Sequence, residues 1–418
     1  SGVVEAAAGY AHSVALTSDG SVYTWGYNNY GQLGLGDTST RKVPVRVNLP
    51  YQIVNISSGT YYVLAVASDG SVWAWGLNSD GQLGIGNTTN QYSPVKVLLP
   101  SSEKITTVVA SCKPKGRGFA LSESSKVYGW GYGFGTTPVE VGGFNGRVVK
   151  LYEGANGAVA VTENGAVYRI DSPSSLSRLT DIEALNPVEI VEGESHTLII
   201  SANGKSYALG SNSDGRLGIA AGSGSVGQPI EIISYSPDKA VDVECGGSHC
   251  IALGTDGKLY AWGYNANYQL GTGDTLTRCL PTEVTSLPRV AIKSIAASGN
   301  GSFILTDDGQ VYGWGSDAQS QTPRAITGFD APVAKLSGAA YKLYAVTNAG
   351  SIYEYSRSGG LKIIPGYTGV YAVGGYGHTL FISTDGKLYG MGYNYDGQLG
   401  TGDRTDRSTP VEIAIPDL

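Results

Sequence analysis

One phrase recurs along the whole chain, and it constrains the fold more than any other feature. An alternating apolar run leads to a Gly and a short turn, a second apolar run leads to Asp-Gly or a relative, and a Val-Tyr-x-Trp-Gly-like run follows. Self-similarity at a period of about 37 to 53 residues predicts one repeat architecture. Nine copies begin near residues 3, 53, 105, 148, 188, 241, 292, 333 and 370.

Each repeat is predicted to form four short strands. In the first repeat they cover approximately residues 3–8, 12–17, 21–26 and 43–47, where apolar residues recur with a period of two. The turn between the second and third strands is Asp19-Gly20, a pair that tolerates the positive φ angles of tight hairpins. Seven repeats carry Asp-Gly or Asn-Gly at this place, which fixes the strand register.

Tandem four-stranded units predict the blades of a β-propeller. We therefore expect an all-β fold, with residues 1–418 forming a single closed β-propeller domain of nine blades. The alternative is seven or eight regular blades plus an irregular segment, drawn from the degenerate third, fourth and eighth repeats. Five indoles share one repeat position, and a packing role is predicted for all of them: Trp25, Trp75, Trp130, Trp262 and Trp314.

The composition indicates which partners and which location to expect. The net charge is -7 and no run of Lys and Arg exceeds two residues, so a nucleic-acid partner is not expected. No stretch of about 18 apolar residues occurs, so no membrane insertion is expected, and the first residues show no secretory signal pattern. Many Gly and Tyr with few Lys and Arg favour an extracellular, virion or cell-surface location, with a cytoplasmic location as the alternative.

The motifs G-x-x-H, D-G-x-V-Y-x-W-G and G-Q-L-G-x-G-D identify a family resemblance. Examples are WGYNNYGQLGLGDTSTRKVPVRV at 25–47 and MGYNYDGQLGTGDRTDRSTPVEI at 391–413. The chain resembles the regulator of chromosome condensation repeat family over essentially its whole length. The resemblance implies a propeller whose relatives serve as GTPase exchange factors, a photoreceptor, an enzyme inhibitor, and ligase or scaffold modules. The photoreceptor's Gly-Trp-Arg-His-Thr motif is absent here, where the equivalent segments read GYAHS, GESHT, GGSHC and GYGHT.

All four histidines occupy the G-x-x-H position of their repeats, and each is predicted to stabilise its own turn by bonding backbone. They belong to different blades, so we expect no converging metal ligands, no cofactor and no catalytic residue. The chain is therefore predicted not to be an enzyme. The histidines are His12, His196, His249 and His378.

The four cysteines are Cys112, Cys245, Cys250 and Cys279. Cys245 and Cys250 flank a four-residue turn in the sixth repeat, so a cross-strand disulfide is geometrically possible. Two buried free thiols are expected, with the disulfide as the alternative. No C-x-x-C pair occurs, which argues against zinc.

Loop length gives the clearest sign of where binding occurs. Repeats one, two, five, six and nine carry a long insertion between the third and fourth strands. Repeats one, six and nine have an Asp–Arg pair there, such as Asp37 with Arg41, and repeat two has the neutral pair Asn87 and Gln91. Tyrosine gives large, stiff, amphipathic contact area, although the first Tyr after each Trp-Gly has packing on the next blade as its alternative role. The predicted partner-binding residues are Tyr27, Tyr30, Tyr132, Tyr264, Tyr268, Tyr393 and Tyr395.

The function expected from these features is that of a non-catalytic scaffold that binds a protein partner through the long loops on one face. A carbohydrate-binding adhesin is the first alternative, because exposed Tyr and Asn stack on and hydrogen-bond sugars. Guanine-nucleotide exchange on a small GTPase is the second.

Overall fold

The polypeptide folds entirely into β-strands and their connections over the part that a computed structural model describes. That part covers residues 2–111, 115–154, 157–173, 175–178, 187–192, 196–202, 204–220, 224–232, 240–339, 342–357, 359–364, 369–374, 377–383 and 385–416. Within these residues, 36 strands form nine four-stranded antiparallel sheets, each built from four consecutive strands. We number these sheets blades 1 to 9 in chain order.

The first four blades contain strands β1 to β16. Their bounds are β1 Val3–Ala8, β2 His12–Thr17, β3 Val22–Gly26 and β4 Arg41–Arg46 in blade 1; β5 Ile53–Ser58, β6 Tyr62–Ala67, β7 Val72–Gly76 and β8 Gln91–Lys96 in blade 2; β9 Ile105–Ala110, β10 Arg117–Ser122, β11 Val127–Gly131 and β12 Gly135–Val141 in blade 3; β13 Val148–Gly154, β14 Gly157–Thr162, β15 Val167–Ser172 and β16 Ser175–Arg178 in blade 4.

The remaining five blades contain strands β17 to β36. Their bounds are β17 Pro187–Glu192, β18 His196–Ser201, β19 Ser206–Ser211 and β20 Ser225–Glu231 in blade 5; β21 Ala240–Cys245, β22 His249–Gly254, β23 Leu259–Gly263 and β24 Arg278–Glu283 in blade 6; β25 Ile292–Ser298, β26 Gly301–Thr306, β27 Val311–Gly315 and β28 Ser320–Ile326 in blade 7; β29 Val333–Ala339, β30 Lys342–Thr347, β31 Ile352–Ser356 and β32 Gly360–Ile364 in blade 8; β33 Gly369–Gly374, β34 His378–Ser383, β35 Leu388–Gly392 and β36 Arg407–Ile413 in blade 9.

These blades confirm the predicted fold class, all-β with the nine four-stranded blades of a β-propeller. The alternative with an irregular segment is excluded, because the third, fourth and eighth repeats each form a complete sheet. Their degenerate sequences still alternate apolar and polar residues with a period of two, which is what a strand requires.

The blades group into two compact units. Unit 1 comprises residues 1–178 and 369–418, which are blades 1 to 4 with blade 9, and unit 2 comprises residues 179–368, which are blades 5 to 8. Within unit 1 the last blade packs on the first: β1 contacts β33 and β34, and the Val3 N–H donates to the Gly386 carbonyl at 2.8 Å. Within each unit the first strands of successive blades contact one another.

A hydrogen bond from the indole of one blade to the preceding blade joins the sheets. Each of the five repeated Trp side chains is fully buried, and its Nε1–H donates to a backbone carbonyl of the blade before it. The acceptor lies in a G-Q-L-G segment, or in the matching G-R-L-G of blade 5 or Y-Q-L-G of blade 6. The pairs are Trp25 to Gln398 at 2.8 Å, Trp75 to Gln32 at 3.0 Å, Trp130 to Gln82 at 2.8 Å, Trp262 to Arg216 at 3.0 Å and Trp314 to Gln269 at 3.0 Å. The indoles therefore bind neighbouring blades as well as filling space.

The Gly that ends this segment leaves space for the indole. Gly271 has a φ of +70°, and a Cβ there would lie 2.7 Å from Nε1 of Trp314. Gly273 has a similar φ of +79°, but its Cβ would meet only Cγ2 of Thr322 at 3.6 Å. Two glycines in one loop thus share a left-handed backbone and differ in the space beside them.

We expect Gly271→Ala to lower the free energy of unfolding more than Gly273→Ala does. Both substitutions place a side chain in left-handed backbone, at about 1–2 kcal/mol. Gly271→Ala adds overpacking against Trp314, at about 1–3 kcal/mol. Denaturant unfolding of the two variants measures the difference, and equal losses would show that the indole does not need this space.

A polar side chain in the first strand braces the next blade. The carboxylate of Glu5 accepts the Ile56 N–H at 3.4 Å, and the Asn55 side chain accepts the Val108 N–H at 3.2 Å. Asp242 accepts the Ile295 N–H in the same way at 3.2 Å. Burial raises the pKa of Glu5 to about 7 despite the bond to Ile56. Ionised Glu5 is therefore less favourable at this position than a neutral side chain such as Asn55, which makes the equivalent hydrogen bond to the next blade without a charge.

We expect Glu5→Gln to raise the thermal midpoint at pH 8 and to leave it unchanged near pH 4.5. The folded pKa of Glu5 lies above the usual 4.5, so its contribution to stability is present at low pH and is lost as the pH rises through about 7. Gln keeps an acceptor for the Ile56 N–H and cannot ionise. Thermal unfolding of both proteins across this range tests the prediction, and a midpoint difference that does not vary with pH would contradict it.

Candidate functional site

The long loops and the first hairpin turns lie at the same end of each blade. In a four-stranded antiparallel sheet, the connection from strand one to two and that from three to four share one end. The described structure confirms which blades carry long connections: they span 27–40 in blade 1, 77–90 in blade 2, 264–277 in blade 6 and 393–406 in blade 9, and blade 5 has its long connection between β19 and β20. We call this end the loop face.

A buried Asn fixes each long loop from inside. In blade 1 the Asn28 amide donates to the carbonyls of Asp37 at 3.0 Å and Ser39 at 3.1 Å, while its oxygen accepts the Leu33 N–H at 2.9 Å. These residues were not predicted from the sequence, although an Asn stands two residues after the Trp-Gly or Met-Gly of blades 1, 2, 6 and 9. Asn78, Asn265 and Asn394 bond their loops in the same pattern.

Salt bridges close three of these loops at the predicted spacing. Asp37 pairs with Arg41 at 2.6 Å, Asp274 with Arg278 at 2.7 Å, and Asp403 with Arg407. In blade 2 the neutral Gln91 instead donates to the Thr89 carbonyl at 3.1 Å. The loops are therefore braced from inside and outside, which holds their side chains in place before a partner arrives.

Four tyrosines form one cluster on the loop face of blades 1 and 2. Tyr61 is at its centre, with ring centroids 5.1 Å from Tyr30, 5.6 Å from Tyr10 and 6.1 Å from Tyr27. Tyr27 and Tyr30 come from the long loop of blade 1, whereas Tyr10 and Tyr61 come from the first hairpin turns of the two blades. We call these four residues the tyrosine cluster.

Two phenols of the tyrosine cluster, those of Tyr27 and Tyr61, have raised pKa values. Burial first, and then the neighbouring tyrosines and Asp396 of blade 9, raise the pKa of Tyr61; burial, Tyr30 and Asp396 likewise raise that of Tyr27. Desolvation also raises the pKa of Asp396 itself. Neutral hydroxyl donors on flat apolar rings suit recognition of an amphipathic surface.

Predicted tyrosines flank this cluster in unit 1. Tyr393 and Tyr395 on the blade 9 loop are 53% and 64% exposed. Tyr132 in blade 3 accepts a hydrogen bond from Lys115 at 2.8 Å, and Arg117 lies 5.3 Å from its ring centroid. The loop face of unit 1 thus presents aromatic side chains from blades 9, 1, 2 and 3.

In unit 2, Tyr268 is held in a conformation that bulky residues rarely adopt. Its φ is +61°, at a place where Gly31, Gly81 and Gly397 stand in other long loops. It borders an open cleft of about 440 Å³ shared with blades 7 and 8, whereas Tyr264 is half-buried beside it in the same loop. A strained bulky residue at a cleft marks a second candidate position for a partner.

Tyr10 and Tyr61 were not among the predicted binding residues, because they lie outside the long loops. The signal was available: both residues lie in the first hairpin turn, which shares its end of the blade with the long loop. The packing role weighed for Tyr27 also has an observed basis, since its ring contacts Tyr61 of the next blade.

The four histidines lie in blade interfaces. Each Nε2 faces a side chain of the following blade, so the predicted backbone partner in the same turn is wrong. The reason is that the turn directs the imidazole outward across the interface. The distances are 2.9 Å from His378 to Ser13 Oγ, 3.0 Å from His12 to Ser58 Oγ, 2.8 Å from His249 to Ser302 Oγ and 3.1 Å from His196 to Cys250 Sγ.

A hydrogen-bond relay fixes the protonation of these rings. The Ser13 hydroxyl donates its single proton to the Gln398 carbonyl at 2.8 Å, so Nε2 of His378 must be the donor to Ser13. Ser302 does the same with the Gln269 carbonyl at 2.8 Å. The same carbonyls receive Trp25 and Trp314. We call this arrangement, from His through Ser to the carbonyl that also receives Trp, the inter-blade relay.

Burial keeps the imidazoles neutral. It lowers the pKa of His12 and His249 to about 3 and that of His196 and His378 to about 4. A second proton would sit on Nδ1, which is buried without a hydrogen-bond partner among the described residues in all four rings.

The sulfur chemistry differs from the expectation of free thiols. Cys245 and Cys250 form a disulfide, because β21 and β22 pair these two residues directly across the hairpin. Cys279 is free and exposed, and Cys112 lies outside the described residues. In the described part of the chain we find no apolar helix of membrane-crossing length.

Comparison with known families confirms the resemblance seen in the motifs. The model of the RCC1-like domain matches residues 1–330. Two further matches to the regulator of chromosome condensation (RCC1) repeat cover residues 371–398 and 385–417. Together they cover every repeat except the eighth, which lies between residues 330 and 371.

Two relatives illustrate the range of proteins that carry similar repeats. The ultraviolet-B receptor UVR8 of Arabidopsis thaliana is 29% identical over 275 residues, which are 59% of this chain and 62% of that protein. The probable E3 ubiquitin-protein ligase HERC6 of Homo sapiens is 30% identical over 219 residues, covering 52% of this chain and 19% of that protein. The chain thus spans less than two thirds of the length of these relatives.

Solved structures show the same fold over almost the whole chain. Human WBSCR16 matches with a TM-score of 0.52 and 21% identity, covering 95% of both chains. Yeast RCC1 (Prp20), solved with Kap60, matches with a TM-score of 0.51 and 20% identity, covering 96% of this chain and 85% of that chain. With the family model matching most of the sequence, the chain belongs to the RCC1-like domain family.

Proposed function

We propose that this protein is a non-catalytic scaffold that binds a protein partner through the loop face of unit 1. The observation that carries the proposal is the tyrosine cluster, in which Tyr10, Tyr27, Tyr30 and Tyr61 contact one another on loops braced from within. Tyrosine side chains lose little conformational entropy on binding and are enriched among residues that dominate interface affinity.

The relatives support a protein as the partner. Kap60 is bound in the yeast RCC1 (Prp20) structure, and Prp20p of Saccharomyces cerevisiae is described with binding properties to Gsp1p and histones. The buried histidines support a non-catalytic role, because none of the four imidazoles faces solvent. A cell or virion surface location is also part of the proposal, supported by the Cys245–Cys250 disulfide, since disulfides persist in oxidising compartments.

Replacing three residues of the cluster is expected to abolish partner capture. The Tyr27→Ala, Tyr30→Ala, Tyr61→Ala variant and the parent are immobilised, and proteins captured from the native source are identified by mass spectrometry. The protein lost from the variant is then purified and titrated by calorimetry. Residues of this kind contribute about 2 kcal/mol or more, so the Kd is expected to rise at least about 30-fold.

Tyr51→Ala is the matched control. Tyr51 is 47% exposed, but it lies between β4 and β5, at the opposite end of the blades. It should leave the Kd unchanged. Equal affinity of the parent and the triple variant would refute the proposal, and loss of binding after glycosidase treatment of the partner would reassign the face to carbohydrate.

A further inference from the structure

Blade 6 differs from its siblings at the two positions that face the imidazole of the preceding blade. One position is the second residue of the second strand, where Ser302 of blade 7 faces the Nε2 of His249. The other is near the end of the first strand, where Ser58 of blade 2 faces the Nε2 of His12. In blade 6 these positions are Cys250 and Cys245, a directly paired cross-strand couple. An imidazole that meets one oxygen elsewhere therefore meets two sulfurs here.

The three side chains converge from two blades. A ligand nitrogen of His196 and the sulfurs of Cys245 and Cys250 all lie within 4.8 Å of one another. His196 begins β18 in blade 5, whereas the cysteines are on β21 and β22 of blade 6. The expectation that histidines of different blades cannot join a ligand set fails here, because the interface itself brings the ligands together.

We propose that the reduced protein binds one thiophilic metal ion, of the class of Cu⁺ and Zn²⁺, through His196, Cys245 and Cys250. Thiolate and imidazole are the ligands that these ions prefer. The cluster supplies three ligands, which suits trigonal Cu⁺ directly, while Zn²⁺ would complete a fourth position with water. The ion would join blades 5 and 6 within unit 2.

Reduction is the step that creates the site. A dithiol reductant transfers two electrons and two protons to the disulfide, giving two cysteine thiols and a cyclic disulfide of the reductant. The ion then displaces both thiol protons, and the Nε2 proton of His196 moves to Nδ1 so that Nε2 has a lone pair to donate. Opening the disulfide leaves the β21–β22 hairpin closed by its own backbone hydrogen bonds, as in the sibling blades that lack cysteines.

The test is a metal titration of the full chain carrying Cys112→Ser and Cys279→Ser, which leave Cys245 and Cys250 as the only sulfhydryls. The protein is reduced with a dithiol, freed of it by gel filtration, and titrated anaerobically with Cu⁺ or with Zn²⁺. We expect one equivalent to bind, with a thiolate-to-metal absorption band for Cu⁺. Oxidised protein should bind neither ion, and the tighter of the two identifies the preferred ion.

Two variants keep the test decisive. Cys245→Ala with Cys250→Ser recreates the Ala297 and Ser302 set that His249 meets in blade 7, so it should fold, as circular dichroism can verify, and bind no metal. His196→Gln should weaken binding at least about tenfold. The absence of binding by reduced protein, or unchanged binding by either variant, would overturn the proposal.

Discussion

Stability is expected to fall steeply as the pH drops below 6.5. The folded pKa values of the four histidines lie at about 3 to 4, well under the usual 6.5. Between these values the unfolded chain therefore binds more protons than the folded protein does. Their contribution is present above pH 6.5 and is lost towards the folded pKa. At pH 5 each histidine costs about 2 kcal/mol, and four together remove much of the stability of a typical domain. Glu5, Asp242 and Asp396 act in the opposite direction, because burial raises their folded pKa values.

Thermal and denaturant unfolding between pH 8 and pH 5 measure this loss. His249→Gln is the informative variant, because an amide can still donate to Ser302 and cannot ionise. We expect this variant to be less stable than the parent at pH 8. Its free energy of unfolding should then fall less steeply than that of the parent, by a difference of about 1.4 kcal/mol per pH unit. An unchanged slope would show that His249 does not cause acid sensitivity.

Trp75→Ala is expected to lower the free energy of unfolding by about 3–5 kcal/mol. The indole is fully buried between blades 1 and 2, and its N–H bonds the Gln32 carbonyl. Val63 lies opposite Trp75 on the paired strand β6 and has no hydroxyl that could donate to the carbonyl in place of the indole. In blade 1, by contrast, Ser13 lies opposite Trp25 and donates to the same carbonyl as that indole. Denaturant unfolding monitored by circular dichroism measures the loss.

Trp73→Ala provides the comparison from the same strand. Trp73 is half-buried, donates to Ser71 Oγ at 3.1 Å within its own blade and lies 6.5 Å from the Tyr51 ring. Trp73→Ala should lower the free energy of unfolding clearly less than Trp75→Ala does. Trp75→Phe separates the two roles, because it keeps most of the volume but leaves a buried acceptor unpaired, at about 1–3 kcal/mol. Equal losses for Trp73→Ala and Trp75→Ala would refute the interface role.

Fold class was predictable because each of its determinants is local. Period-two alternation defines the strands, Asp-Gly turns such as Asp19-Gly20 set their register, and Trp-Gly marks the third strand of a blade. The long loops were predictable for the same reason, since a G-Q-L-G-x-G-D segment is contiguous in sequence. All of these features lie within single repeats.

The contacts between blades were not predictable in the same way. The acceptor for Trp75 is a backbone carbonyl, which every residue possesses, so no pattern marks Gln32; Arg216 serves Trp262 equally well. The partner of each histidine lies in another repeat, 46 to 54 residues away for His12, His196 and His249 and 365 residues away for His378. The tyrosine cluster was half predictable, because it joins a loop to a hairpin turn of the neighbouring blade.

The indole bond also bears on how such a chain changes its repeat number. Each Trp finds its acceptor in the preceding blade, so each of the five repeats that carry this Trp supplies a donor for its predecessor, whereas blades 4, 5 and 9 have Ile170, Leu209 and Met391 at the same position. Tyr355 of blade 8 preserves this arrangement without an indole, donating to the Ala318 carbonyl of blade 7 at 3.1 Å. Duplication or deletion of one whole repeat therefore keeps each such donor one repeat after an acceptor, whereas a fractional duplication or deletion changes that spacing. Lineages can thus gain or lose blades in whole units while point mutations adjust the loops.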